Sequence, residues 1–305
     1  MTTTEILLIG AGELGTAFLP PISSLPNIHI TLGVRSPSNY SHLTSSAPNI
    51  TPLALDITSP SLSATFSTFD ILIIATGFAQ SPASVLKLAR EVLEAGRLKR
   101  SRGEERLWYF PWQWGVDYDV TGDGQGLMPL FGAQRDVRDL LRKEAVAANV
   151  KWSVVSTGIF MSFLFEEFWG VVEKGDEGRV VVRALRHWEH KVTVTDVHDI
   201  GRVLAKIVNG EVDAENKVVC VAGNTVSYRE LAEIVTRVSG KEVEEEVWDV
   251  PYLEEEFRHS PDDGIKKYRL VFARDGVWWD KENTVNDKLG IEMMRVEDYA
   301  KNLFK

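Results

Sequence analysis

Residues 10 to 15 read Gly10-Ala11-Gly12-Glu13-Leu14-Gly15, the spacing G-x-G-x-x-G. In a strand-to-helix turn each glycine has its own task. Gly10 permits the tight bend, Gly12 lets a diphosphate approach the backbone, and Gly15 permits close packing of helix on strand. The helix that follows, opening with Glu13 and Leu14, offers its first N–H groups and a partial positive charge to the anion. The chemistry implied is dinucleotide binding, and a purely structural turn is the competing meaning. The context favours binding: a strand-like run at residues 5–9 leads in, and a helix-compatible stretch leads out.

The end of the second strand, Ile28–Val34, separates the two nicotinamide cofactors. An acid there would hold the ribose 2′-hydroxyl and repel a 2′-phosphate. The chain instead has Arg35 and Ser36, a guanidinium fork and a hydroxyl suited to a phosphate. NADP(H) is therefore expected over NAD(H), with an ordinary surface arginine as the alternative. Asp56, after the third strand, is a candidate neighbour of the adenine. Thr76-Gly77-Phe78 follows the fourth strand, where the cofactor should pass.

These residues need a scaffold, and the chain supplies one. Strand-like runs at residues 28–34, 51–55, 70–75, 107–110 and 152–156 alternate with helical patterns at 83–98 and 137–148. This predicts an α/β fold, a Rossmann-type doubly wound parallel sheet with a smaller interleaved α+β substrate lobe. The expected division is 1–158 with 191–222 for the NADP-binding domain, and 159–190 with 223–305 for the substrate lobe. Ser227 and Glu230 form a capping box for a helix faced by Leu231, Ile234, Val235 and Val238 and stopped at Gly240. Asp196 is expected to cap a helix with the stripe Ile200, Leu204, Ile207 and Val208. Strands are expected at 191–195 and 217–221, the latter holding Cys220 as a buried, inert thiol. Residues 97–106, with five bases and two acids, read as a solvated loop.

Composition excludes several classes of function. The chain has 305 residues, 44% hydrophobic and 26% charged, with a net charge of −10. An acidic balance argues against nucleic-acid binding. Most of that charge sits in residues 241–263, ten acids against two bases, read as a solvated stretch. A single cysteine can form neither an intrachain disulfide nor a thiolate metal cluster, which suits a reducing compartment. The start of the chain lacks a targeting pattern, and no apolar run reaches the roughly 20 residues of a membrane span. A cytoplasmic protein without membrane partners is expected. His187 and His190 are three apart without a nearby cysteine, so no metal site is expected.

Several segments resemble the NmrA-like and isoflavone-reductase-like branch of the atypical short-chain dehydrogenase/reductases, its fungal members above all. Phe110-Pro111-Trp112-Gln113-Trp114-Gly115-Val116-Asp117 is similar to that family's F-x-P-S-E-F-G-x-D, and Gln134-Arg135-Asp136-Val137-Arg138 to its K-x-x-V-R. Thr157-Gly158-Ile159-Phe160 and Asp199-Ile200 echo later segments. The resemblance implies an NADPH-dependent reductase, yet two departures matter. The family's active-site lysine falls on Gln134, and its serine and glutamate fall on Trp112 and Gln113. No tyrosine has a lysine four residues on. Gln134 shares an inward stripe with Val137 and Leu141. It can hydrogen-bond a nicotinamide ribose or a substrate oxygen, but it cannot serve as general acid or base.

Without that lysine, an activated hydride acceptor is expected: an iminium, an enone or a quinone methide, in which charge is neutralised or delocalised. Where an acid is required, Tyr118 and Asp117 are the candidates, with a packed tyrosine and a surface carboxylate as the alternative. Aromatic residues after the fifth strand (Trp112, Trp114) and after the sixth (Phe160, Phe163, Phe165, Phe168, Trp169) suit a small, hydrophobic aromatic substrate, or else a hydrophobic core. A second reading is a non-catalytic, dinucleotide-sensing regulator that binds a protein partner; glutamine in place of lysine favours it.

Overall fold

The structure, a computed structural model, describes residues 2–45, 47–77, 81–175 and 178–304. Strands β1 (Thr4–Ile9), β2 (Ile28–Val34), β3 (Ile50–Ala54), β4 (Ile71–Ile74), β5 (Leu107–Phe110) and β6 (Val150–Ser156) form one sheet with β11 (Lys217–Cys220); the order is β11-β6-β5-β4-β1-β2-β3. β1 pairs in parallel with β2 on one side and β4 on the other, so Ile6 stands opposite both Ile30 and Ile71. Strand order thus reverses at β1, and in such sheets ligands bind outside the carboxyl ends of the strands at that reversal. Ile6 to Ile9 and Ile71 to Ile74 are all buried, the continuous apolar character of strands covered on both faces.

The helices around this sheet are α1 (Glu13–Ser23), the single turns α2 (Ser41–Thr44) and α3 (Ser63–Phe66), and then α4 (Pro82–Ser101). After α5 (Tyr118–Thr121) come α6 (Pro129–Glu144) and α7 (Val197–Val208). α4 runs on through Ser101, so half of the basic stretch expected as loop is helix, with Lys99 and Arg100 in the favourable last turn. α6 begins earlier than its apolar stripe suggests because Pro129 is its first residue, a position where the missing N–H costs nothing. α1 contains Pro20 and Pro21. Neither can donate to the Ala17 carbonyl, and α7 comes close there: a Cβ on Gly201 would stand 2.6 Å from the Ala17 oxygen.

The chain divides into two compact units. The first is residues 1–113, 132–155 and 200–219; the second is 114–131, 156–199 and 220–305. This division differs from the expected one at 114–131, 156–158, 191–199 and 220–222. At 191–199 the reason is pairing: β10 (Lys191–Thr195) joins β7 (Ile159–Phe160) in parallel and β12 (Asn224–Ser227) antiparallel, in a small sheet of its own. The second unit's other sheet is β13-β9-β8, with β8 at Val172–Lys174, β9 at Val180–Leu185 and β13 at Glu244–Trp248. Its helices are α8 (Tyr228–Ser239), α9 (Val250–His259), α10 (Gly264–Phe272), α11 (Val285–Lys288) and α12 (Val296–Leu303). The capping box of Ser227 and Glu230 is present, and α8 ends on Gly240 in the left-handed region.

Two expectations change here. The acidic stretch is not merely solvated: Glu244, Glu245 and Glu246 on β13 pair with Arg179, Arg229 and Arg183. Cys220 is half-buried, because β11 is the edge strand of its sheet.

Candidate functional site

The glycine turn leaves β1 at the reversal of strand order. Gly10 has φ +103°, and a Cβ there would lie 2.7 Å from the Ala75 oxygen at the end of β4. Only glycine satisfies both demands. At Gly15 a Cβ would lie 2.1 Å from the Gly10 oxygen, so helix and turn are in direct backbone contact. Gly12 differs: nothing lies within 4 Å of where its Cβ would be, and it opens α1 with no side chain capping the helix. At Gly77, beyond β4, no described residue lies within 4 Å of where a Cβ would be. Leu14 and Gly15 are buried, Glu13 is exposed and Thr76 half-buried. Two glycines thus build the turn, while Gly12 and Gly77 meet no described residue within 4 Å. Phe78 lies outside the described residues.

On the β2–β3 side, Arg35 and Ser36 are exposed just past the end of β2. Asp56 is exposed and accepts from the Thr58 N–H at 2.9 Å and the Thr58 hydroxyl at 2.7 Å. Those bonds, and then the charges of Arg35 and Lys87, hold its carboxyl below the usual carboxylate range. Two residues that sequence reasoning missed fix this loop from α4. Lys87 donates to the carbonyls of Ile57 and Ser59, and Glu91 accepts from the N–H groups of Leu62 and Ser63 at 2.7 and 2.8 Å. Their i, i+4 spacing behind the Ser81 cap was the available signal.

On the β4–β5 side, Trp112 is half-buried two residues beyond β5. Gln134, 1% exposed, projects from α6, and its Nε2 donates to the Trp112 carbonyl at 2.6 Å. Gln113 donates to the Gln134 carbonyl at 2.8 Å and accepts from Arg138 Nε at 2.8 Å. Val137 and Leu141 are buried with Gln134, the stripe that the spacing predicts. The amide of Gln134 can face only one way, since turning it would set its oxygen against the Trp112 oxygen. Its Oε1 is buried and has no hydrogen-bond partner among the described residues.

The remaining candidates lie in the second unit. Asp117 is the N-cap of α5 and accepts from the Asp119 N–H at 3.1 Å, a structural use of the carboxylate proposed as an acid. Tyr118 is buried and packs edge-on against Phe131 at 5.0 Å. Trp169 is 1% exposed and sits among Phe163, Tyr268 and Phe272 at 5.2–5.6 Å, so it belongs to the unit's core. Its indole N–H is buried and has no hydrogen-bond partner among the described residues. Trp114 is buried too, whereas Phe160 and Phe163 are half-buried and Phe168 is exposed. His190 Nε2 donates to the Phe272 carbonyl at 2.8 Å. No cluster with metal-ligand spacing occurs among the described residues, nor any helix long and apolar enough to cross a membrane.

Comparison with known proteins gives this geometry a context. The sequence profile of the NmrA-like family matches residues 2–275. A protein of Gibberella moniliformis named an NmrA-like family domain-containing oxidoreductase is 36% identical over 98% of both chains. Among solved structures, isoflavone reductase superposes with a TM-score of 0.78 at 17% identity, covering 99% of this chain and 100% of the other. AtPrR2 with NADP+ and (+)pinoresinol gives 0.74 at 17% identity and 100% of both chains. At such identities the structural likeness speaks for the fold, a Rossmann-type sheet with additional small sheets, while the matching profile and the fungal relative speak for descent. The chain belongs to the NmrA-like family.

Proposed function

We propose that this protein is an NADPH-dependent reductase of a small aromatic or conjugated molecule. The observation that carries the reading is the glycine turn: among the described residues Gly12 and Gly77 leave space within 4 Å, while Gly10 and Gly15 are locked by backbone contacts. The cofactor fits these residues. Gly12 and the uncapped start of α1 would hold the diphosphate, and Arg35 with Ser36 the 2′-phosphate. Asp56 would border the adenine, and Thr76, Gly77 and Gln134 the nicotinamide end. AtPrR2, with its bound NADP+ and pinoresinol, supports both the cofactor and an aromatic substrate.

NADPH, when bound, supplies the hydride. The chain's own residues bind and orient. Trp112 is half-buried and holds the Gln134 amide through its backbone carbonyl, and its indole would suit stacking on a flat acceptor. Gln134 transfers no proton, and Asp117 is engaged as a helix cap. The acceptors that suit this site are those whose reduction needs no protein acid: iminium ions, enones and quinone methides. In the second unit, Phe160 and Phe163 are the substrate candidates with exposed surface, whereas Trp114, Tyr118 and Trp169 act through packing.

The test is direct. Wild-type protein binds NADPH more tightly than NADH by calorimetry and consumes NADPH with at least one member of a panel of iminium, enone and quinone acceptors. Tight binding without turnover across the panel would favour the dinucleotide-sensing regulator instead.

A further inference from the structure

A cavity of about 500 Å³ lies within the second unit, lined by α5, the turn after it, the residue following β9, the start of α9 and the end of α10. That volume falls in the range of small-molecule sites. None of the cofactor or aromatic candidates lines it. Its apolar wall includes Val120, Val250 and Val271, and its polar lining includes Arg186, Arg274 and Asp275.

The backbone around this cavity is held in an uncommon state. Among the described residues five non-glycine positions have positive φ, and three of them are asparagines, which tolerate that region. The other two, Gln125 at 60° and Arg186 at 75°, both line the cavity. Arg186 pairs with Asp275 at 3.0 Å, with side chains 37% and 82% exposed. So exposed a pair stabilises less than the left-handed backbone costs, so the fold's own stability does not account for an arginine there. Residues held in this way cluster at ligand clamps.

Charge narrows the ligand. Arg186 and Asp275 neutralise one another. Arg274 donates from Nη1 to the Gly124 carbonyl at 2.8 Å and has no carboxylate partner among the described residues. Anchored through one nitrogen, its guanidinium keeps its other N–H groups for a planar anion. One uncompensated positive charge beside valine side chains suits a monoanion with an apolar body. A phosphate dianion would need more positive charge and a more polar wall.

We propose that this cavity binds a small organic monocarboxylate, with Arg274 holding the carboxylate and Val120, Val250 and Val271 covering the apolar body. The site uses second-unit residues alone and does not depend on the cofactor reading.

The probe is hydrocinnamate, which has no double bond to reduce, compared by calorimetry with its uncharged amide. Wild type should bind the acid about tenfold more tightly than the amide, the size of one charge-assisted hydrogen bond, and Arg274→Met should remove that difference. Arg274 also anchors Gly124, so a second variant tests the cavity without touching that anchor. Val120 is 60% exposed, and Val120→Glu should fold normally and weaken the acid more than the amide, by setting a like charge against the bound carboxylate. Excess inorganic phosphate should not displace the acid. The proposal is overturned if wild type fails to bind hydrocinnamate at millimolar concentration, if the amide binds equally, if phosphate displaces the acid, or if either variant leaves its affinity unchanged.

Discussion

The carbonyl oxygen of Gly10 occupies the space that a side chain on Gly15 would need, 2.1 Å from where its Cβ would be. Gly12, between them, has nothing within 4 Å. The three glycines of one motif are therefore not alike: two are constrained by the protein's own backbone, and Gly12 is not.

That contrast is measurable. Gly15→Ala should lower stability by about 1–3 kcal/mol, the cost of overpacking, and lose the cofactor. Gly12→Ala should melt within about a degree or two of wild type, a surface-level change, while NADPH affinity falls. Thermal denaturation and calorimetry on both variants separate the two effects; a Gly12→Ala variant that binds NADPH normally would contradict the diphosphate assignment.

Arg35 is predicted to set cofactor preference. A charge-assisted hydrogen bond to a phosphate contributes roughly 1.5–3 kcal/mol, so Arg35→Ala should weaken NADPH by about 10- to 100-fold and leave NADH nearly unchanged. Asp56, nearby, shares the field of Arg35. Equal losses for both cofactors would remove Arg35 from the 2′-phosphate.

His190 gives the second unit a pH dependence. Burial holds its pKa below the ordinary 6.5, with Arg186 and His187 acting the same way and the Phe272 hydrogen bond and Asp275 opposing. The fold thus accommodates the neutral ring. Its contribution to stability is complete above the unfolded-chain value near 6.5 and is lost as pH falls towards the folded value, at no more than about 1.4 kcal/mol per pH unit. Urea denaturation at pH 7 and pH 5 should show a smaller drop for His190→Gln than for wild type.

Gly201 is predicted to tolerate no larger residue. Gly201→Ala would bring a Cβ to 2.6 Å from the Ala17 oxygen and should cost about 1–3 kcal/mol, read as a lowered melting temperature. A variant as stable as wild type would show that α1 and α7 can move apart freely.

Local signals were legible in the sequence, and distant pairings were not. The Ile28–Val34 and Lys191–Thr195 strands and the Ser227–Glu230 cap lie where apolar periodicity and capping chemistry place them. The sheet that receives Lys191–Thr195 depends on β7 and β12, which no local pattern announces. The acidic residues of β13 look solvated until Arg179 and Arg183, more than sixty residues earlier, are placed beside them. Trp169 and Asp117 mislead for the same reason. An aromatic residue after a strand reads as a pocket wall until Tyr268 and Phe272 close around it, and a carboxylate reads as an acid until the helix it caps is seen. Gln134 was found as a departure from the family pattern, but the direction of its hydrogen bond needed Trp112 in place.

The two prolines of α1 reach further than the helix that contains them. Pro20 and Pro21 cannot donate to the Ala17 carbonyl, and that oxygen stands close enough to α7 to exclude a side chain at Gly201. The helix is held near its middle and butted against Gly10 at its start, so the end proposed to take the diphosphate is set before any ligand arrives. Such preorganisation spares the association step the entropy of ordering a loop. NADPH should then meet a finished diphosphate cradle, with the binding heat arising from contacts made rather than from a turn folding around them.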